Sequence, residues 1–372
     1  MKACGQAFLS VLLLSGACGH LLAQDPAQGP VQAPVQTSPQ ETVPAGAIQL
    51  RMDASEAKAV LDILEARASG RPPTEADWQR LFSTEPYLSL ERRESAMHVP
   101  FTRDEFKAFV LSADLAKRAE SLRLALEAWK KADLAAAARR ILPYLPARAR
   151  IRAKVFPVIK PKANSFVFET ETDPAIFLYL DPALPAAKVE NTVAHEMHHI
   201  GFASLEDENA ALLKDLSPAA RAAAEWVGAF GEGFAMLAAA GGMEVHPHAV
   251  GSREDRARWD KELGNFNADL NALETFFLEV IHQKRKTKAE ISEKAFTFFG
   301  VQGPWYTVGY QMAIVIERQF GRAVLVECMG DPRKLLPTFN RAAREENKQR
   351  KKPLALWSQE LVDALAGAPP KP

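Results

Sequence analysis

The sequence predicts an α+β fold that is mainly helical, and three observations carry that reading. Apolar residues recur at helical spacing over most of the chain, as Val60, Leu61, Ile63 and Leu64 do. One region, 151–180, departs from this pattern. It runs in short apolar, β-branched and aromatic stretches punctuated by Pro174 and Pro182. Composition is that of a globular protein, with 47% hydrophobic and 25% charged residues, and 372 residues suffice for a sizeable core in one large or two ordinary domains. Formal net charge is zero, which argues against a nucleic-acid partner held by phosphate charge.

Taken in order, the chain opens with Lys2 and an apolar run from Phe8 to Ala23. Leu21-Leu22-Ala23 followed by Gln24-Asp25-Pro26 suits a cleavage point, so residues 1–23 read as a bacterial signal peptide and the mature chain as periplasmic or secreted. A lipoprotein anchored at Cys18 is the lesser alternative, because Ser15 stands where a lipobox wants an aliphatic residue. After cleavage only Cys328 remains, which leaves no intramolecular disulfide, and no membrane span is expected. Residues 24–47, rich in Pro and Gln, read as a disordered linker, and 367–372 as a loose tail.

Residues 48–148 read as a helical N-terminal subdomain. Helices are expected from Asp53 to Ala68, from Thr74 through Phe82, from Thr102 through Trp129 as one long element, and from Ala132 to Leu142. Three strands follow, in Ile151–Ile159, Ser165–Glu169 and Ala175–Leu180, forming a small sheet packed on the next helix. An edge strand of such a sheet can hold an extended peptide by backbone pairing. Beyond them, Gly201 is expected to break that helix. Ala219–Ala240 and Arg253 to about His282 read as two long helices, and others follow from Gly303-Pro304, from Pro337 and from Leu354. Lys284 to Lys288 is a charge run expected to face solvent. Residues 149–366 form the second expected domain.

Within it, His195-Glu196-Met197-His198-His199 spells HExxH, the spacing of a zinc-hydrolase helix. At about 100° per residue, His195 and His199 lie about 40° apart and one turn along. Two imidazoles on one face can reach one ion, and Glu196 lies close enough to polarise a water upon it. Neutral imidazole suits Zn²⁺, which wants a third protein ligand and leaves a fourth position for water. His198 keeps the alternative face, His195 with His198, open.

Several residues compete for third ligand. Leu205 and Phe202 stand where a metzincin carries His and Gly, which excludes that class. Asp207 lies in an acidic turn, and His246 and His248 follow Gly241-Gly242. Glu232 is favoured as a lone carboxylate between Gly231 and Gly233, where flanking glycines let two helices approach closely; Glu225, seven residues earlier, is its fallback.

Glu232-Gly233-Phe234-Ala235 and Tyr306-Thr307-Val308-Gly309 resemble the Glu-Gly-Phe-Ala and Tyr-x-x-Gly motifs of the aminopeptidase-N type of gluzincin. The resemblance covers roughly residues 165–345. It implies a zincin-like catalytic domain in which His195, His199 and Glu232 hold one Zn²⁺ per chain, Glu196 is the base, and Tyr306, or Tyr310 one turn on, donates to the oxyanion. The Gly-x-Met-Glu-Asn stretch that binds a free amine in those enzymes is missing from 150–190, and the interval from His199 to Glu232 is longer. The chain looks closest to bacterial gluzincin-like peptidases without assigned substrates. The expected function is an exported zinc peptidase acting on peptide or protein. Its rivals are a helical scaffold with structural zinc and a zinc hydrolase of non-peptide bonds.

Overall fold

The computed structural model describes residues 11–12, 48–169 and 172–366. Apart from Val11–Leu12, the expected signal peptide lies outside the described residues, as do the linker 24–47 and the tail 367–372.

The helices of the first half are α1 (Ser55–Ala68), α2 (Glu75–Phe82), α3 (Glu85–Ala96), α4 (Arg103–Val110), α5 (Ala113–Trp129) and α6 (Leu134–Ile141). Their starts are written in side chains. Thr74 pairs with Asp77 and Thr102 with Glu105 in capping boxes, and Asp133 caps α6. The long helix expected from Thr102 to Trp129 is two helices. Ser112 turns extended, at φ −66° and ψ 148°, and its hydroxyl accepts from the Leu115 N–H to start a new one.

The sheet comprises β1 (Val11–Leu12), β2 (Ile48–Met52), β3 (Ile151–Val158), β4 (Ser165–Phe168) and β5 (Ala175–Tyr179), in the order β1-β4-β5-β3-β2. The pairs β2–β3 and β3–β5 are parallel, while β4 runs antiparallel to β5. All three expected strands are present. The strand β2 was not expected, although its half-buried Ile48, Leu50 and Met52 alternate with exposed Gln49 and Arg51. It pairs with β3 from Ile48 opposite Ile151 to Met52 opposite Val155. The N-terminal helices therefore share a sheet with the second half. They also share a core, since one cluster of buried apolar residues runs from Ala57 to Leu365. The other face of the sheet carries a separate small cluster built on Phe156, Phe166 and Phe177.

Helix α7 (Ala186–Ala203) lies against β3 and carries the HExxH residues. Gly201 does not break it. A Cβ there would sit 2.4 Å from the Leu145 side chain, so the glycine makes room for a neighbour. Next come α8 (Glu206–Leu212), α9 (Pro218–Val227) and α10 (Gly231–Ala240). The expected continuous helix over 219–240 is interrupted by a 3₁₀ turn at Gly228–Phe230, and Gly241, at φ 91°, ends α10. Similarly, the expected helix from Arg253 to His282 is two, α11 (Arg253–Leu263) and α12 (Phe266–Ile281), separated at Gly264 and Asn265. The last elements are α13 (Lys288–Phe296), α14 (Pro304–Phe320), α15 (Arg322–Met329), α16 (Pro332–Asn347) and α17 (Gln359–Leu365). Pro337 lies inside α16 instead of opening it. Among the described residues no helix is long and apolar enough to cross a membrane.

The contact that sets the site is between α10 and α14. A Cβ on Gly233 would lie 2.0 Å from the Tyr310 nitrogen and 2.4 Å from the Tyr306 oxygen, all backbone of α14. A Cβ on Gly309 would lie 2.5 Å from the Phe230 oxygen. Two glycines thus face each other where two backbones touch. Of the two glycines expected to let helices approach closely beside Glu232, Gly233 does so and the helix it admits is α14, while Gly231 faces open space.

Candidate metal centre

The middle of α7, from Val193 to Ile200, is buried except for His199, which is partly open. His195 and Glu196 are 4% and 1% exposed, and Glu232, in the first turn of α10, is 5% exposed. The three ligand-type atoms form a small triangle. His195 Nε2 lies 3.1 Å from Glu232 Oε2, His199 Nε2 lies 3.2 Å from the same oxygen, and the two imidazole nitrogens are 3.0 Å apart.

That triangle decides which histidines face each other. His198 turns away, and its Nε2 sits 3.3 Å from the Tyr144 carbonyl, to which a neutral ring donates. Burial pushes the His198 pKa down to about 3, so the ring stays neutral. The face left open by spacing alone is therefore His195 with His199.

Electrostatics follow from crowding. Burial by itself would raise Glu232, but the His199 and His195 imidazoles beside it hold its carboxyl well below the usual carboxylate range. Burial would lower His199, and the Glu232 and Glu196 carboxylates raise it instead. Burial raises Glu196, against the pull of the two histidines. Both Glu196 oxygens are buried without a hydrogen-bond partner, as is His195 Nδ1. A buried carboxyl left unpartnered costs free energy that a working site can justify.

These donors fit a zinc ion. A tetrahedral centre with bonds of about 2.0–2.1 Å has ligand–ligand edges of about 3.3 Å. Edges of 3.0, 3.1 and 3.2 Å therefore match three corners of such a shell. The set His195, His199 and Glu232 is also the group of the described residues whose ligand atoms all lie within 4.8 Å of one another. Two nitrogens and one carboxylate are ordinary zinc donors.

Tyr306, in the first turn of α14, stacks on His195 with ring centres 6.4 Å apart and planes at 18°. Burial, with the Glu232 and Glu196 carboxylates nearby, raises its phenol well above the ordinary value. It is held as a neutral O–H donor. Tyr310 packs its ring edge-on against Trp259, with centres 5.1 Å apart. Burial pushes that phenol up to about 12.

The remaining candidates lie apart from the triangle. Glu225 is exposed on α9, and Asp207 is exposed on α8. His246 bonds Asp260 at 3.2 Å, and His248 accepts from Gln302 at 2.8 Å. Gln302 and His248 nevertheless join His195 and Tyr306 in lining a cleft beside the triangle. Sequence reasoning missed this cleft. Its one legible trace is the line Lys188, Asn191, Thr192, His195 at helical spacing.

Residues 78–348 match the model of a family described as "Putative zinc dependent peptidase (DUF5700)". No curated protein and no solved structure matches.

Proposed function

The chain belongs to that family of zinc-dependent peptidases, and from this premise we propose that it is an exported peptidase of the gluzincin type whose metal centre is His195, His199 and Glu232. The observation that carries the reading is the triangle of ligand atoms 3.0–3.2 Å apart with an unpartnered, buried Glu196 beside it. A structural zinc site needs no such free carboxylate, because four protein ligands close its shell.

Zinc held there supplies a Lewis acid that lowers the pKa of a bound water toward about 7 and polarises a substrate carbonyl. Glu196 takes a proton from the attacking water and returns it to the leaving amine. Its raised pKa suits this exchange, since a carboxyl nearer neutrality accepts and releases a proton with less loss of driving force. Tyr306 keeps its proton and donates it as a hydrogen bond to the oxyanion that develops on the carbonyl. His198 neither binds metal nor substrate, and its bond to the Tyr144 carbonyl fixes the rotation of α7. Export follows from the apolar segment Phe8–Ala23 and its cleavage point, and cleavage there removes the edge strand β1 and leaves the strands β4-β5-β3-β2 in place.

The test is a peptide-library cleavage assay with and without chelator, run on wild type and Glu196→Gln. The variant should keep its zinc and lose hydrolysis. Cleavage by Glu196→Gln at the wild-type rate refutes the mechanism.

A further inference from the structure

The cleft beside His195 and Tyr306 runs along α7 toward that helix's N-terminus. Lys188 stands seven residues before His195, two turns away, or about 10 Å at 1.5 Å per residue. That distance spans about three residues of extended peptide. The facing wall is α11, which contributes Asp255 and Arg258.

Charge in this cleft is unbalanced. Lys188 Nζ reaches across to Asp255 Oδ2 at 2.7 Å, tying the two walls together. Arg258 Nη2 stands 3.5 Å from the other oxygen of the same carboxylate. Asp255 Oδ2 also accepts from the Ser252 N–H at the start of α11, so that oxygen is shared between Lys188 and the backbone. Two cations and one carboxylate leave one positive charge in the lining. Burial holds His248 down to about 4, so it adds none. Gln302 Oε1 is buried without a partner, while its nitrogen is spent on His248.

We propose that this cleft is a substrate subsite selecting a carboxylate, either an acidic side chain or a free peptide C-terminus, two or three residues from the scissile bond. It rests on the peptidase reading and names that enzyme's substrate class. Arg258, with 41% of its side chain exposed, is the selecting residue. The Lys188–Asp255 pair is the tie that keeps the two walls together at a fixed width.

The experiment uses the zinc-loaded full chain and four matched peptide sets. These carry Glu, Gln or Lys at the scanned position with an amidated end, or Gln with a free C-terminal carboxylate. Binding to the Glu196→Gln protein is read by fluorescence anisotropy, and kcat/KM is read on wild type. Acidic or free-carboxylate peptides should be favoured over their neutral partners by about fivefold, the upper end for a solvent-facing ion pair. The two arms tell which carboxylate is read. Adding Arg258→Gln should bring the ratio to one, and Arg258→Glu should turn the preference toward Lys. Circular dichroism checks that these surface changes leave the fold intact. A ratio that Arg258 does not change, or a wild-type preference for Lys peptides, overturns the subsite. Cleavage without preference leaves the peptidase reading standing, whereas preferential binding without cleavage leaves the subsite standing and removes the peptidase. Peptides that neither bind nor are cut refute both.

Discussion

Gly233→Ala is the sharpest single perturbation the fold offers. The added methyl would sit 2.0 Å from the Tyr310 nitrogen and 2.4 Å from the Gly309 carbon and the Tyr306 oxygen. All three are backbone atoms of α14, so no side chain can swing aside. Reaching an ordinary contact of 3.4 Å requires α10 and α14 to part by about 1.4 Å. Overpacking of this kind costs about 1–3 kcal/mol. The same shift separates Glu232 from Tyr306, and a displacement of about 1 Å at a reacting centre can cost about 10²-fold in rate. Gly231→Ala, two residues away, is the internal control. Its methyl meets open space at an ordinary helical φ of −52°, and alanine there should be neutral or more stable by up to about 1 kcal/mol. Thermal melts and kcat/KM, measured on both variants in one series, decide the matter. A Gly233→Ala protein with wild-type melting and wild-type kcat/KM refutes the close approach of the two helices and the placement of the site upon it.

Other outcomes follow from the same geometry. Tyr306→Phe should lower kcat by about 10²–10³-fold with little change in bound zinc, while Tyr310→Phe, which alters a ring packed on Trp259, should leave kcat near wild type. Chelation of the metal should lower the melting temperature, since free zinc at about 100 times its dissociation constant adds about 2.7 kcal/mol to stability. Glu56 is wholly buried with Ile159 N–H donating to it at 2.9 Å, and burial raises its pKa from 4.5 to about 8. The folded state then holds a proton that the unfolded chain has released, so this group's contribution to stability is complete below pH 4.5 and is lost as pH rises to about 8. The slope is at most about 1.4 kcal/mol per pH unit for one proton. Glu56→Gln should remove that slope, seen as a flatter melting temperature between pH 5 and 8; an unchanged pH profile would show that the carboxyl is not held protonated.

Much of the site was legible because its residues cannot serve elsewhere cheaply. Three histidines and a glutamate within five positions of an otherwise apolar helix are costly to bury, and spacing of four fixes one face. Glu232 was readable as a lone carboxylate in an apolar helix. What its glycines do was not: Gly233 answers to the backbone of α14, some 70 residues later in the chain, and no local pattern reports such a contact. Breaks inside long helical stretches were hidden for a related reason. Ser112 reads as an ordinary polar helix residue until its own backbone turns extended and its hydroxyl caps the next segment. The strand Ile48–Met52 was obscured by its short length and by its parallel partner lying about 100 residues away. The cleft was hardest, because its walls come from α7, α10, the loop before α11, α11 itself and the start of α14 with the segment before it. Only the α7 wall leaves a trace in spacing.

The most direct measurement is zinc content per chain by mass spectrometry on purified wild type, Glu232→Ala and Glu225→Ala. The expected result is about one zinc in wild type and in Glu225→Ala, and a large loss in Glu232→Ala. Equal zinc in all three proteins, or none in wild type after loading, would contradict a centre built from His195, His199 and Glu232.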